Sequence, residues 1–137
     1  PDEVGNDLLA GAIAATALTP MPAIVADLGT ATTFTAQDKS GNILGVSIAP
    51  GVAMGLEALA GRASQLFSVA IQGPKVLGAA ALLDGMADRM EEELNGEATL
   101  VVTGGLAPVV LPYCRRKAIH APDLVLEGLY RYWQLNR

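Results

Sequence analysis

Charge is scarce in this chain. Of its 137 residues only 17% are Asp, Glu, Lys or Arg, against about 25% in an average soluble domain. Cysteine and histidine occur once each, which excludes an internal disulfide framework and a Cys-rich zinc site. Basic residues are outnumbered, nine Lys and Arg to fourteen Asp and Glu, for a formal net charge of −5. That balance argues against nucleic acid as a partner, because such a footprint needs clustered Lys and Arg. Long apolar runs are missing too. The two longest, 8–18 and 100–112, are respectively too short and broken by Thr103, Gly104, Gly105 and two prolines. A membrane-spanning helix takes about 20 mostly apolar residues, so no membrane is expected as a partner. No signal peptide is visible at the acidic start Pro1-Asp2-Glu3, and the chain does not begin with Met, which points to a piece of a longer protein. Neither a Ser-His-Asp arrangement nor a Walker A loop occurs.

What the chain has in quantity is apolar surface, with 51% hydrophobic residues. The length suits one domain with a real core, but there is little polar surface to cover it. Part of the outside is therefore expected to be buried against a partner, a second copy, or an absent portion of the same protein.

Periodicity predicts a helix over 4–18, with Leu9, Ala12, Ile13, Thr16 and Ala17 at helical spacing and Thr19-Pro20 ending it. Strands are predicted at 23–27, 30–37 and 43–49, the last two a hairpin around the turn cluster 38–42. Pro50-Gly51 opens a helix to about Ala63, and 69–71 reads as a short edge strand. A helix over 79–94 carries Leu82, Leu83, Met86, Met90 and Leu94 on one side and stops at Asn95-Gly96. A strand at 98–102, a short helical stretch from Gly105 and a last helix over 122–133, buried through Val125, Leu129, Tyr132 and Trp133, complete the order. A meander followed by alternating helix and strand predicts an α/β domain, a mixed β-sheet flanked by helices.

Four segments have the composition of a site. Asp27-Leu28-Gly29-Thr30-Ala31-Thr32-Thr33 joins two strands. Its glycine allows close approach of a ligand, its N–H groups can face a phosphate, and Asp27 can bind a cation. Thr103-Gly104-Gly105 joins a strand to a helix, where a ring or phosphate can approach. Gly5-Asn6-Asp7 starts the first helix, with Asp7 a candidate general base. Ile48-Ala49-Pro50-Gly51 leads into a helix whose free N–H groups can meet a carboxylate. On spacing alone each segment also reads as an ordinary turn or cap. Elsewhere, His120 reads as a lone loop histidine and Glu91, Glu92 and Glu93 as an exposed helix face. Cys114 beside Arg115, Arg116 and Lys117 reads as a thiol with a lowered pKa or, more simply, as a neighbour of a solvated basic helix end.

Together these segments resemble the type III pantothenate kinases. Members read Gly-x-Asp-Arg at a helix start, Asp-Phe-Gly-Thr-Ala-Thr-Thr across a strand turn, Ile-Ala-Pro-Gly, and Thr-Gly-Gly. Here Gly5-Asn6-Asp7-Leu8, Asp27 to Thr33, Ile48 to Gly51 and Thr103 to Leu106 occur in that order, and Pro122-Asp123-Leu124 and Leu126-Glu127-Gly128-Leu129 are similar to the family's last helix. The resemblance implies the C-terminal lobe of an actin-like, ribonuclease H-like ATPase fold. It implies phosphorylation of pantothenate by ATP with Mg²⁺ in the cytoplasm, a homodimer, and a monovalent cation, K⁺ or NH₄⁺. By the same resemblance Asp7 is the proton acceptor, Gly5, Asn6, Asp7 and Leu8 line the pantothenate pocket, and Asp27 is the metal ligand for that cation. Gly29, Thr30, Thr33, Gly104 and Gly105 fall at nucleotide-binding positions.

Three departures accompany it. Leu8 stands where the family has Arg, so a substrate contact is missing or replaced. The family's N-terminal Asp-x-Gly-Asn-Thr phosphate loop does not occur, which predicts a missing N-terminal lobe and an inactive isolated fragment. Lys75-Val76-Leu77-Gly78 runs directly into Ala79-Ala80-Ala81, where the family has an Asn-Thr segment, so a piece is expected to be missing between Gly78 and Ala79. Two other functions fit the same residues: another actin-fold phosphotransferase or phosphatase, and a non-catalytic homologue acting by binding.

Overall fold

The computed structural model describes residues 4–62 and 76–137. In chain order the elements are α1 (Asn6–Leu18), β1 (Ala23–Leu28), β2 (Ala31–Gln37), β3 (Ile43–Pro50), α2 (Val52–Arg62), α3 (Leu77–Leu94), β4 (Thr99–Thr103), α4 (Ala107–Val110), β5 (Ile119–His120) and α5 (Leu124–Leu135). A single 3₁₀ turn, Leu111–Tyr113, extends α4. The edge strand expected at Val69–Ile71 lies outside the described residues. At the junction where a piece was expected to be missing, α3 runs as helix through Gly78 and Ala79.

The strands form one mixed sheet in the order β3-β2-β1-β4-β5. β1 pairs antiparallel with β2 and parallel with β4, and β4 pairs parallel with β5. β1 is therefore central, which is why its sequence is an apolar run rather than an alternation of apolar and polar residues. The short β5 was not expected from the sequence: His120 is an exposed residue of an edge strand rather than of a loop. β2 and β3 enclose the 38–42 turn, where the Asp38 carboxylate accepts from the Ser40 and Asn42 amides at 2.8 and 2.9 Å.

Each face of the sheet has its own core. On one side Ile24, Ala26, Leu28, Phe34, Leu100 and Val102 pack with Ala80, Leu83 and Ala87 of α3 and Ala107 and Val110 of α4. On the other, Val25 and Val101 pack with Ala14 and Ala15 of α1 and Leu124 of α5. α3 ends at Asn95 in the left-handed region (φ 56°), as an Asn-Gly stop predicts.

The buried faces of the helices differ from those predicted. α1 buries Ala10, Gly11, Ala12, Ala14 and Ala15, while Leu9 is 42% exposed and Thr16 and Ala17 lie in solvent. α1 is apolar nearly all round, so periodicity carries little information, and its smallest residues allow the closest approach to α5. There a Cβ on Gly128 would fall 1.8 Å from the Ala10 carbonyl oxygen. α5 accordingly buries Leu124 and Gly128, and the predicted residues Leu129, Tyr132 and Trp133 are exposed. On α3 Leu83 is fully buried and Met86, Met90 and Leu94 pack on the core as predicted, but Leu82 is exposed.

Within the basic run after α4, Arg115 and Lys117 are exposed as expected, but the Arg116 side chain is tied down rather than solvated. Arg116 makes a two-pronged ion pair with Glu91, Nη2 to Oε1 at 2.6 Å and Nη1 to Oε2 at 3.0 Å, and a second ion pair with Asp88. Glu91 also accepts from the Ala98 amide at 2.9 Å, so it belongs to a clasp between α3, β4 and this loop rather than to an exposed face. The Arg116 hydrogen bond, chiefly, holds its carboxyl below the ordinary glutamate range. The Cys114 thiol is not activated: burial first, and the Asp84 charge second, push it up to about 11.

Candidate functional site

Side chains alternate across a strand. Because Ile24, Ala26 and Leu28 face α3, Val25 and Asp27 face α1 and α5. Register then sets the neighbours. Asp27 lies opposite Thr33 of β2 and opposite Thr103 of β4. These three residues, with Thr35, Leu8 and Asp7 in the first turn of α1, line one small cleft beside the ends of β1 and β4. In sheets of this kind ligands bind outside the carboxyl ends of parallel strands.

The carboxylates differ. Asp7 is exposed. Asp27 is partly buried, and its pKa is raised, first by desolvation and then by the charge of Asp7. A carboxylate in that position is relieved by a cation. The oxygen donors around it, a carboxylate and threonine hydroxyls, are of the type that hard cations take. Among the described residues no trio of His, Cys, Asp and Glu converges on a metal position.

Two glycines fix the surroundings of Asp27. Gly104 is left-handed (φ 97°), and a Cβ there would lie 2.6 Å from the backbone of Leu28 and 2.7 Å from Asp27 Oδ1. The loop after β4 is thus seated directly on the end of β1, and the Leu106 amide donates to the Leu28 carbonyl at 3.3 Å. From the β3 side, Gly51 abuts the Gly29-Thr30 turn. Thr30 itself is exposed at the tip between β1 and β2.

The structure therefore brings Asp7, Leu8, Asp27 and Thr33 into one cleft, with Gly5 against the Asp7 carboxylate and Gly29 and Gly104 against that of Asp27. Asn6 and Gly105 are exposed and do not line it. Two participants were given no role of their own from the sequence, Thr103, named only as part of the segment Thr103-Gly104-Gly105, and Thr35. Buried Thr103 opens that segment, but only the parallel β1–β4 register places it beside Asp27. Thr35 had no signal beyond strand alternation.

The family model described as Type III pantothenate kinase matches residues 1–94. A type III pantothenate kinase of Thermobifida fusca is 40% identical over an alignment of 154 residues covering 99% of this chain and 60% of the relative. That alignment is longer than the chain, so the relative carries residues without a counterpart here. The chain spans only 56–60% of the first three curated relatives it matches. Among solved structures, a conserved putative Baf family transcriptional activator from Campylobacter jejuni superposes with a TM-score of 0.68 at 21% identity, over 98% of this chain and 65% of the other. The activator of 2-hydroxyisocaproyl-CoA dehydratase from Clostridium difficile, solved with bound ADPNP, gives 0.52 at 13% identity, over 95% and 67%. These likenesses show the fold, the mixed sheet flanked by helices of the actin-like kind expected from the sequence.

Proposed function

The chain belongs to the type III pantothenate kinase family, and from that membership we propose that its parent protein phosphorylates pantothenate with Mg-ATP, giving 4′-phosphopantothenate for coenzyme A synthesis. The observation that carries this reading is the shared cleft of Asp7 and Asp27 beside the Gly29-Thr30 and Gly104 loops. Asp7 accepts the proton of the pantothenate hydroxyl as its oxygen attacks the γ-phosphorus and the bond to the ADP oxygen breaks. Phosphoryl transfer asks for positioning and charge neutralisation, with one base near the acceptor. Gly5, Asn6 and Leu8 flank the acceptor pocket. Thr30, Thr33, Gly29, Gly104 and Gly105 serve the nucleotide. Asp27, with Thr33 and Thr103 beside it, would hold K⁺ or NH₄⁺, which supplies positive charge near the phosphates.

In this reading the chain forms one wall of the site, an N-terminal lobe the other, and the assembly is a cytoplasmic homodimer. The exposed Leu126, Leu129, Tyr132 and Trp133 of α5 and Leu44 and Ile48 of β3 support burial against such neighbours. The isolated 137 residues are then inactive, and their turnover would sink the two-lobe reading.

The test is mass-spectrometric detection of phosphopantothenate from the full-length protein, Mg-ATP and pantothenate, with and without K⁺ or NH₄⁺. Leu8 in place of the family's Arg makes a panel of other acceptors worth including. Phosphorylation of another acceptor alone would replace the substrate, and no turnover with an intact dimer would favour a binding homologue.

A further inference from the structure

Gly51 has a role that its backbone conformation does not explain. It does not adopt a left-handed φ, so other residues fit its dihedrals. What they lack is space: a Cβ there would lie 1.9 Å from the Thr30 oxygen, 2.7 Å from its carbonyl carbon and 2.8 Å from the Gly29 oxygen. The Thr30 oxygen is nearer than its carbon, so that carbonyl is aimed at Gly51. Gly51 also accepts the first helical bond of α2, from Gly55 N at 2.8 Å, which anchors it at the start of that helix.

The consequence is electrostatic. A trans peptide points its C=O and N–H in opposite directions. With its carbonyl edge turned into Gly51, the 29–31 turn directs its amide edge the other way, and a phosphate is attracted by amides and repelled by carbonyl oxygens. We propose that Gly51 is a positioning residue for nucleotide binding, setting which edge of the Gly29-Thr30-Ala31 turn faces the phosphates. This deepens the kinase reading and rests on it for the nucleotide.

The test compares Gly51→Ala with Gly55→Ala, a control site where a Cβ meets nothing within 4 Å among the described residues, in the full-length protein. Binding of a non-hydrolysable Mg-ATP analogue is measured by calorimetry, and KM is measured for ATP and for pantothenate. Gly51→Ala should weaken nucleotide binding and raise the ATP KM about tenfold or more, leaving the pantothenate KM within about twofold. Gly55→Ala should match the wild type. A folded Gly51→Ala protein that binds nucleotide normally, or one in which both KM values rise together, overturns the proposal. Should Gly51→Ala not fold, hydrogen exchange in the wild type decides: the Thr30 and Ala31 amides gain protection on adding the Mg-nucleotide, and no gain overturns the proposal. A wild type that shows this protection but never phosphorylates pantothenate defeats the kinase reading alone.

Discussion

Ile24, Ala26 and Leu28 of β1 face α3 and α4, whereas Val25 and Asp27, interleaved with them, face α1 and α5. The same holds on β2, where Phe34 is fully buried on the α3 side and Thr33 and Thr35 line the cleft on the α1 side. On the α3 side medium and large side chains interlock into a continuous apolar layer. On the α1 side small residues bring the helices close, and toward the strand ends the layer gives way to a carboxylate pair and hydroxyls. One pleated sheet thus separates the residues that hold it together from those available for chemistry by alternation alone.

That contrast can be broken from either side. On the α3 side, Phe34→Ala leaves a cavity under a fully buried ring and should cost about 3–5 kcal/mol of stability. Urea unfolding would show it, and a loss below about 1 kcal/mol would mean that this layer is loosely packed. On the α1 side, the kinase reading predicts that Asp7→Asn in the full-length protein lowers turnover about 10²–10⁴-fold with little change in melting temperature, because Asp7 is exposed. Full activity would remove Asp7 as the base and leave family membership standing.

A smaller effect sharpens the comparison away from the cleft. Glu91→Gln should cost about 1–2 kcal/mol by weakening the Arg116 clasp. Glu91 has a lowered pKa in the fold. Its contribution is therefore complete above the unfolded value and disappears as pH falls through the lower folded one, so the difference between variant and wild type should vanish in acid.

Asp27 has the opposite sign. Its pKa is raised, so its favourable contribution exists below the ordinary carboxyl value and is lost as pH rises through the raised one. At neutral pH its charge opposes folding. Asp27→Asn should therefore give the smallest stability change, a slight rise in melting temperature at pH 7 that fades in acid, while removing any stimulation by K⁺ or NH₄⁺. A fall in melting temperature at pH 7 would show that a bound cation, or a partner lobe, already offsets the charge.

Much of this was readable in the chain. The Gly29-Thr30 turn, the Asn95-Gly96 stop and the three-stranded meander are local events, set by glycine, asparagine and β-branched residues within a few positions. The candidate cleft was legible only as separate pieces. Asp7, Asp27 and Thr103 are far apart in sequence, and their meeting depends on β4 pairing beside β1 and on α1 packing across that face of the sheet. The faces of α1 and α5 misled for a different reason. Sequence pattern identifies the apolar side chains of a helix, but Gly128 against Ala10 shows that contact was decided by the smallest ones.

The sequence by itself determined the described elements other than the short β5, the turns and the motif order, because these depend on residues that are neighbours along the chain. Only the tertiary structure decided that Asp7 and Asp27 share a cleft, that Glu91 and Arg116 clasp a loop, and that Gly51 carries the 29–31 turn. Each is a contact between distant segments, governed by register and close packing, which no local pattern encodes.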